Sequence, residues 1–229
     1  FELVMVNEIK MRVIFATALC GLLVSVWHVR AQEIPKTVFS EWKSKVDPSV
    51  ERGLQFLAQS QERNGSFPEN YGTSTGIPSL VGMAFLSKGH MPTEGPYATN
   101  INRCIDYVLQ HQKRTGLFVA GHAGSGPMYA HNISTLFLSE VSGMVDPERQ
   151  KRIKSALARA LQLILRAQRV PKSEKHQGGW RYHPNSRDSD TSCSGWALMA
   201  LRSAKLNGAA VPDSAIEDAV AYLYRHYDD

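Results

Sequence analysis

The chain has 229 residues, 43% hydrophobic and 21% charged, with 17 glycines and 11 prolines. That balance suits a globular protein with a full apolar core, and it excludes a disordered chain, a collagen-like chain or a disulfide-built miniprotein. Lys and Arg outnumber Asp and Glu by 26 to 21, a mild excess scattered along the chain apart from Arg149–Lys154, so nucleic acid is not an expected partner.

Residues 1–31 read as upstream residues and an export signal. Val13 to Trp27 is an apolar run behind Lys10 and Arg12, and Val29-Arg30-Ala31-Gln32 places a small residue before a polar one. The pattern predicts a signal peptide cleaved near Ala31, with the mature chain periplasmic or secreted. The run is shorter than the ~20 residues a membrane-spanning helix needs, so no transmembrane segment is expected in the mature chain. Phe1 opens the chain and Met11 stands directly before the signal, so residues 1–10 read as upstream material. Cys20 lies inside the apolar run, not at its end, which does not suit a lipid-modified cysteine. Residues 32–46 are expected to be a linker, and 47–229 one repeat domain. Cys104 and Cys193 remain, either bonded to each other or buried as two thiols.

The mature chain repeats itself. Gly53-Leu54-Gln55-Phe56-Leu57-Ala58-Gln59-Ser60-Gln61 leads to Gly65-Ser66-Phe67, and Tyr107-Val108-Leu109-Gln110-His111-Gln112 leads to Gly116-Leu117-Phe118. A third copy runs Leu163-Ile164-Leu165-Arg166-Ala167-Gln168, then a longer loop, then Gly178-Gly179-Trp180. Gln61, Gln112 and Gln168 thus recur at intervals of about 50 residues, a period typical of stacked supersecondary units. A fourth copy begins at Ala219-Val220-Ala221-Tyr222-Leu223.

Each copy has two unlike helical segments. In the first, Ile153, Leu157, Leu161, Ile164 and Leu165 fall on one helical face, with Lys154, Arg159 and Arg166 on the wet side. Asp146-Pro147 and Pro212-Asp213 supply helix-start chemistry. The second segment is apolar nearly all round: Leu80 to Leu86, Ile133 to Leu138, and Trp196 to Leu201. Such a helix is expected to be buried on every face. The reading is an all-α fold of hairpins in two layers, with no strands and the second helix of each pair inside.

This repeat, with its glutamine and Gly-x-aromatic joint, resembles that of squalene and oxidosqualene cyclases and, more loosely, of protein prenyltransferase β subunits. The resemblance covers about Val50 to the end. It is sharpest at Gln177-Gly178-Gly179-Trp180 and Ser194-Gly195-Trp196-Ala197-Leu198-Met199-Ala200-Leu201. It implies a partial αα toroid of three and a half hairpins, read either as a ring truncated at the C-terminus or as an open arc. It also implies that Gln61, Gln112 and Gln168 pair with Phe67, Phe118 and Trp180 as structural joints.

The cyclases protonate an alkene with an acid from an Asp-x-Asp-Asp-Thr motif. The nearest stretch here is Arg187-Asp188-Ser189-Asp190-Thr191, which puts Arg187 and Ser189 on two of the three acidic positions. Asp190 and Asp188 are the candidate catalytic acids, but Arg187 favours their ionised form, and Asp190 or Thr191 equally suits a helix cap. The prenyltransferase side implies a zinc site, for which Asp190, Cys193, His176 and His183 are the nearest set. Its spacing departs from the family's and no third ligand is identified, so neither a metal nor any other cofactor is expected. The loop Gly121-His122-Ala123-Gly124-Ser125-Gly126-Pro127 has neither a thioester cysteine nor a phosphate-binding Gly-Lys. His122, Tyr129, His131 and Trp196 are the candidate binding residues, the first three at the entrance of an inner helix.

Three functions follow. The first is an exported, non-catalytic binding or scaffold protein of the cyclase type, taking an apolar small molecule. The second is an isoprenoid-directed enzyme whose catalytic residues lie partly outside this chain. The third is a polysaccharide-active helical toroid.

Overall fold

The computed structural model describes residues 36–68, 74–121 and 126–227. The expected export signal and its cleavage position at Ala31 lie outside the described residues. Among the described residues seven α-helices follow in order: α1 (Lys36–Ser60), α2 (Gly76–Ser87), α3 (Ala98–Gln110), α4 (Pro127–Glu140), α5 (Pro147–Gln168), α6 (Thr191–Leu206) and α7 (Asp213–Tyr224). A short 3-10 turn covers Glu174–His176. Among the described residues there is no strand, only an isolated bridge between Gln112 and Phe118. The fold is all-α, and no described helix is long and apolar enough to cross a membrane.

The chain divides into two units, 1–50 and 51–229. In the first, the segment expected to be a linker over 32–46 is instead helical from Lys36, and the helix runs on through Pro48. Trp42, Val46 and Val50 are exposed there. Lys45 lies 5.8 Å from the Trp42 ring centroid, and Lys43 pairs with Asp47 one turn on. Local i,i+3 and i,i+4 contacts of this kind support a helix that propensity alone would leave marginal.

The second unit holds two rows of helices. Helix α2 packs on α4 and α4 on α6, while α3 packs on α2, α5 on α4 and α7 on α6. The central three run parallel, because their starts meet. A Cβ on Gly76 would lie 3.4 Å from Ala130 Cα, Ser79 Oγ donates to Ser134 Oγ at 3.1 Å, and the Tyr129 and Ser192 hydroxyls share a hydrogen bond. Helix α5 starts as its sequence indicates. Asp146 Oδ1 accepts from Arg149 N–H at 2.9 Å and Pro147 fills the first turn, where its missing N–H costs nothing.

Burial divides the central row. In α4, every residue from His131 to Ser139 is buried. In α2 and α6 the expectation of burial on every face fails, since Leu80 is 38% exposed and Met199 45%. The reason is neighbour count: α4 has a central helix on both sides, and α2 and α6 have one each.

The repeated glutamines make one repeated contact. Gln61 Nε2 donates to Gly65 O at 3.5 Å and to Asn100 O at 3.1 Å. Gln112 does the same to Gly116 O at 3.0 Å and Ala156 O at 2.8 Å, and Gln168 to Gly178 O at 2.9 Å and Ala215 O at 2.8 Å. Each amide thus ties its own turn to the backbone of the next outer helix. The three glycines have φ of +92°, +95° and +85°. A Cβ at each would strike the carbonyl of Arg103, Arg159 or Asp218 in that helix, so both the turn and the close approach require glycine. Phe67, Phe118 and Trp180 are buried beside these turns, and the Trp180 indole donates to Ile164 O at 2.8 Å.

Candidate functional site

Polar and aromatic side chains gather where α4 and α6 begin. The loop after Trp180 is fixed at both ends. Asp190 N–H donates to Trp180 O at 2.8 Å, and Met128 N–H to Tyr182 O at 3.1 Å. Ser189 Oγ donates to His176 O at 2.8 Å, and Ser189 N–H to His176 Nδ1 at 3.2 Å. This staple lays Arg181 and Tyr182 across the start of α4. The Arg181 guanidinium sits 4.7 Å from the Tyr182 ring centroid, and the Tyr129 ring 5.7 Å from it. All three are half-buried.

Asp190 is the polar centre of this group. Its Oδ1 accepts from Cys193 N–H at 2.9 Å, from Ser192 Oγ at 2.8 Å and from the Tyr129 hydroxyl at 3.1 Å. Burial opposes its charge, yet these donors and the Arg181 charge outweigh burial and hold the carboxyl below the usual range. Asp190 therefore caps α6 as a carboxylate, which is the wrong state for a proton donor. Asp188 pairs with Arg181 at 3.1 Å. Burial pushes the Tyr129 phenol up, so it stays a hydroxyl donor at neutral pH.

The remaining candidates are distributed differently. His131 is fully buried: its Nδ1 accepts from Phe118 N–H at 3.1 Å and its Nε2 lies 3.3 Å from Ala160 O. Both nitrogens are used, so this neutral imidazole bridges α4 to the joint and to α5 and faces no entrance. Burial lowers its pKa to about 4. Trp196 is half-buried against the core that holds Met128 and Trp180. His122 lies outside the described residues. Cys104 and Cys193 are both free and buried. Burial pushes the Cys193 thiol up to about 12, and it donates to Arg181 O at 3.2 Å. A thiol held protonated is a poor metal ligand. Among the described residues no three His, Cys, Asp or Glu side chains converge for a metal.

Arg181, Tyr182 and Ser192 were not singled out from the sequence. Their sequence signal is adjacency alone, Arg181 and Tyr182 following the joint residue Trp180 and Ser192 lying two residues after Asp190. The loop that folds Arg181 back over Tyr182 has no such local signature.

No family model matches the chain, and no curated protein matches it by sequence. Solved structures do. One is an aspartate-to-alanine mutant of a family 10 polysaccharide lyase from Cellvibrio cellulosa in complex with trigalacturonic acid. It is 15% identical, with a TM-score of 0.54 over 76% of this chain and 66% of that one. The family 10 polysaccharide lyase from Cellvibrio cellulosa is also similar, at 14% identity and a TM-score of 0.53 over 82% of this chain and 69% of that one. At these identities the likeness is one of fold. The cyclase and prenyltransferase resemblance is corrected by these neighbours, which are polysaccharide lyases. The Gln and Gly-x-aromatic pattern that suggested it is a packing solution for stacked helical hairpins, and it carries no chemistry of its own. The two functions built on that resemblance, a cyclase-type scaffold and an isoprenoid enzyme, are overturned with it. The chain shares its helical architecture with polysaccharide lyases.

Proposed function

We propose that this domain binds an acidic polysaccharide at the start of α4 and α6, through Tyr182, Tyr129 and Arg181. The observation that carries the reading is the half-exposed cluster in which Arg181 and Tyr129 flank one aromatic ring. Aromatic rings offer a sugar a flat apolar surface with a polar edge. A guanidinium offers a uronate carboxylate two parallel hydrogen bonds. Asp188 already holds Arg181 at 3.1 Å but is 45% exposed, so a ligand carboxylate can replace it at small cost. Ser192, Tyr129 and Asp190 supply hydrogen-bonding groups for ring hydroxyls. The net charge of +5 favours an anionic chain. The similarity to lyases, one of them holding trigalacturonic acid, supports the same ligand class.

The test is calorimetric titration with oligogalacturonate and with a neutral galactan of equal length. Wild type is expected to bind the first and not the second. Arg181→Gln and Tyr182→Ala are each expected to weaken binding about tenfold, with unchanged melting temperature. Equal affinity for the neutral chain, or no binding of the acidic one, overturns the proposal.

A further inference from the structure

The opposite end of the central row carries a second feature, independent of the sugar reading. A groove of about 560 Å³ lies where α2, α4 and α6 end. Its walls are Met83 and Leu86 from α2, Leu136 from α4, Met144 from the following turn, and Met199 and Leu206 from α6. Three methionines from three segments make an adaptable apolar lining. The volume is that of a small-molecule site.

Of its two serines, Ser87 donates to Ala84 O at 2.8 Å and Ser203 is left without a partner. Ser203 is only 6% exposed and lines the groove, yet its hydroxyl has no hydrogen-bond partner. A buried hydroxyl without a partner is costly, and native structures rarely leave one so. Arg202 and Glu140 stand at the rim, both exposed and both without an ion-pair partner among the described residues. We infer that this groove is a binding site for an amphiphilic carboxylate of the fatty-acid class, its chain along the methionines and its head group on Arg202 and Ser203. A carboxylate accepts from both the guanidinium and the hydroxyl, and the alkyl chain covers Met199 and Leu206. Glu140, which also lines the groove, opposes the ligand's charge.

The experiment titrates the full chain with dodecanoate and, separately, with dodecanol, both below their aggregation limits. Wild type is expected to bind dodecanoate at one saturable site. Arg202→Gln is expected to weaken dodecanoate about tenfold and leave dodecanol unchanged, and Glu140→Gln to tighten dodecanoate severalfold. Met199→Glu, on an exposed position, is expected to abolish both while the melting temperature holds. Absence of saturable binding by wild type overturns the inference. So does binding undiminished by Met199→Glu, or an equal effect of Arg202→Gln on both ligands. If the chain dimerises and Met199→Glu dissociates it without any dodecanoate binding, a second copy covers the groove and the inference fails. Oligogalacturonate binding serves as the control, and it is expected to be the same in all three variants.

Discussion

Helices α4 and α6 have similar amounts of apolar sequence, yet only α4 is enclosed. Phe137 on α4 is fully buried, and Met199 on α6 is 45% exposed. Helix α4 lies between α2 and α6, whereas α6 has a central neighbour on one side. A Cβ on Gly82 of α2 would collide with the Phe137 ring, so the α2–α4 contact is close-packed. Met199 of α6 instead lines an open groove that it shares with Met83 of α2 and Leu136 of α4. Burial of an apolar helix is therefore a property of its neighbours, and composition alone does not set it.

The contrast can be broken most directly by truncating side chains on the two helices. Phe137→Ala is expected to cost about 3–5 kcal/mol, since it opens a cavity that the closely packed α2 and α4 cannot collapse. Chemical denaturation measures it, and a loss below about 1 kcal/mol would show that α4 is less enclosed than its burial indicates.

The next effect depends on pH. His131 sits in the enclosed part of α4, and burial lowers its pKa from 6.5 to about 4. The unfolded chain takes up this proton near 6.5, before the folded chain does. Its contribution to stability is thus complete above that pH and is lost as pH falls toward 4, by about 3 kcal/mol. Urea unfolding at neutral pH and near pH 4 is expected to show this loss in wild type. His131→Gln is expected to be less stable at neutral pH and to lack that part of the slope.

A smaller effect separates the joints. Gln168 is 8% exposed and bonds two carbonyls, so Gln168→Ala is expected to cost about 1–3 kcal/mol by leaving them unpaired. Gln61 is half-buried and its bond to Gly65 is long, at 3.5 Å. Gln61→Ala is expected to cost less, and equal losses would dissolve the distinction between the joints. The smallest effect closes the comparison: Met199→Ala is expected to change stability by less than about 0.5 kcal/mol, because it is a surface change.

Little of the candidate site was legible beforehand. By sequence Asp190 suits either an acid or a cap, because its position before an apolar run fits both. Three donors and Arg181 decide for the carboxylate cap. Tyr129 stood out by its place at a helix start. Its partner Tyr182 lies far along the chain in a loop with no periodicity, so the pair becomes visible only when Ser189 is tied to His176 and Asp190 to Trp180. The sequence places His131 at a helix entrance, but a histidine's solvent exposure is not legible from its position in the chain. The backbone atoms of Phe118 and Ala160 claim both its nitrogens.

The sequence by itself determined the helices and the joints, because both are local in origin. A helical period, a cap such as Asp146, and a glycine that alone tolerates positive φ all act within a few residues of the chain. The tertiary structure alone decided which apolar faces are covered and which side chains share a site. The groove beside Met199 and the cluster around Tyr182 arise from segments more than 50 residues apart, where the positions of neighbouring helices set burial, charge and hydrogen-bond supply. Resemblance at the joints therefore identified a way of packing helices, and the similar solved structures share that packing at 14–15% identity.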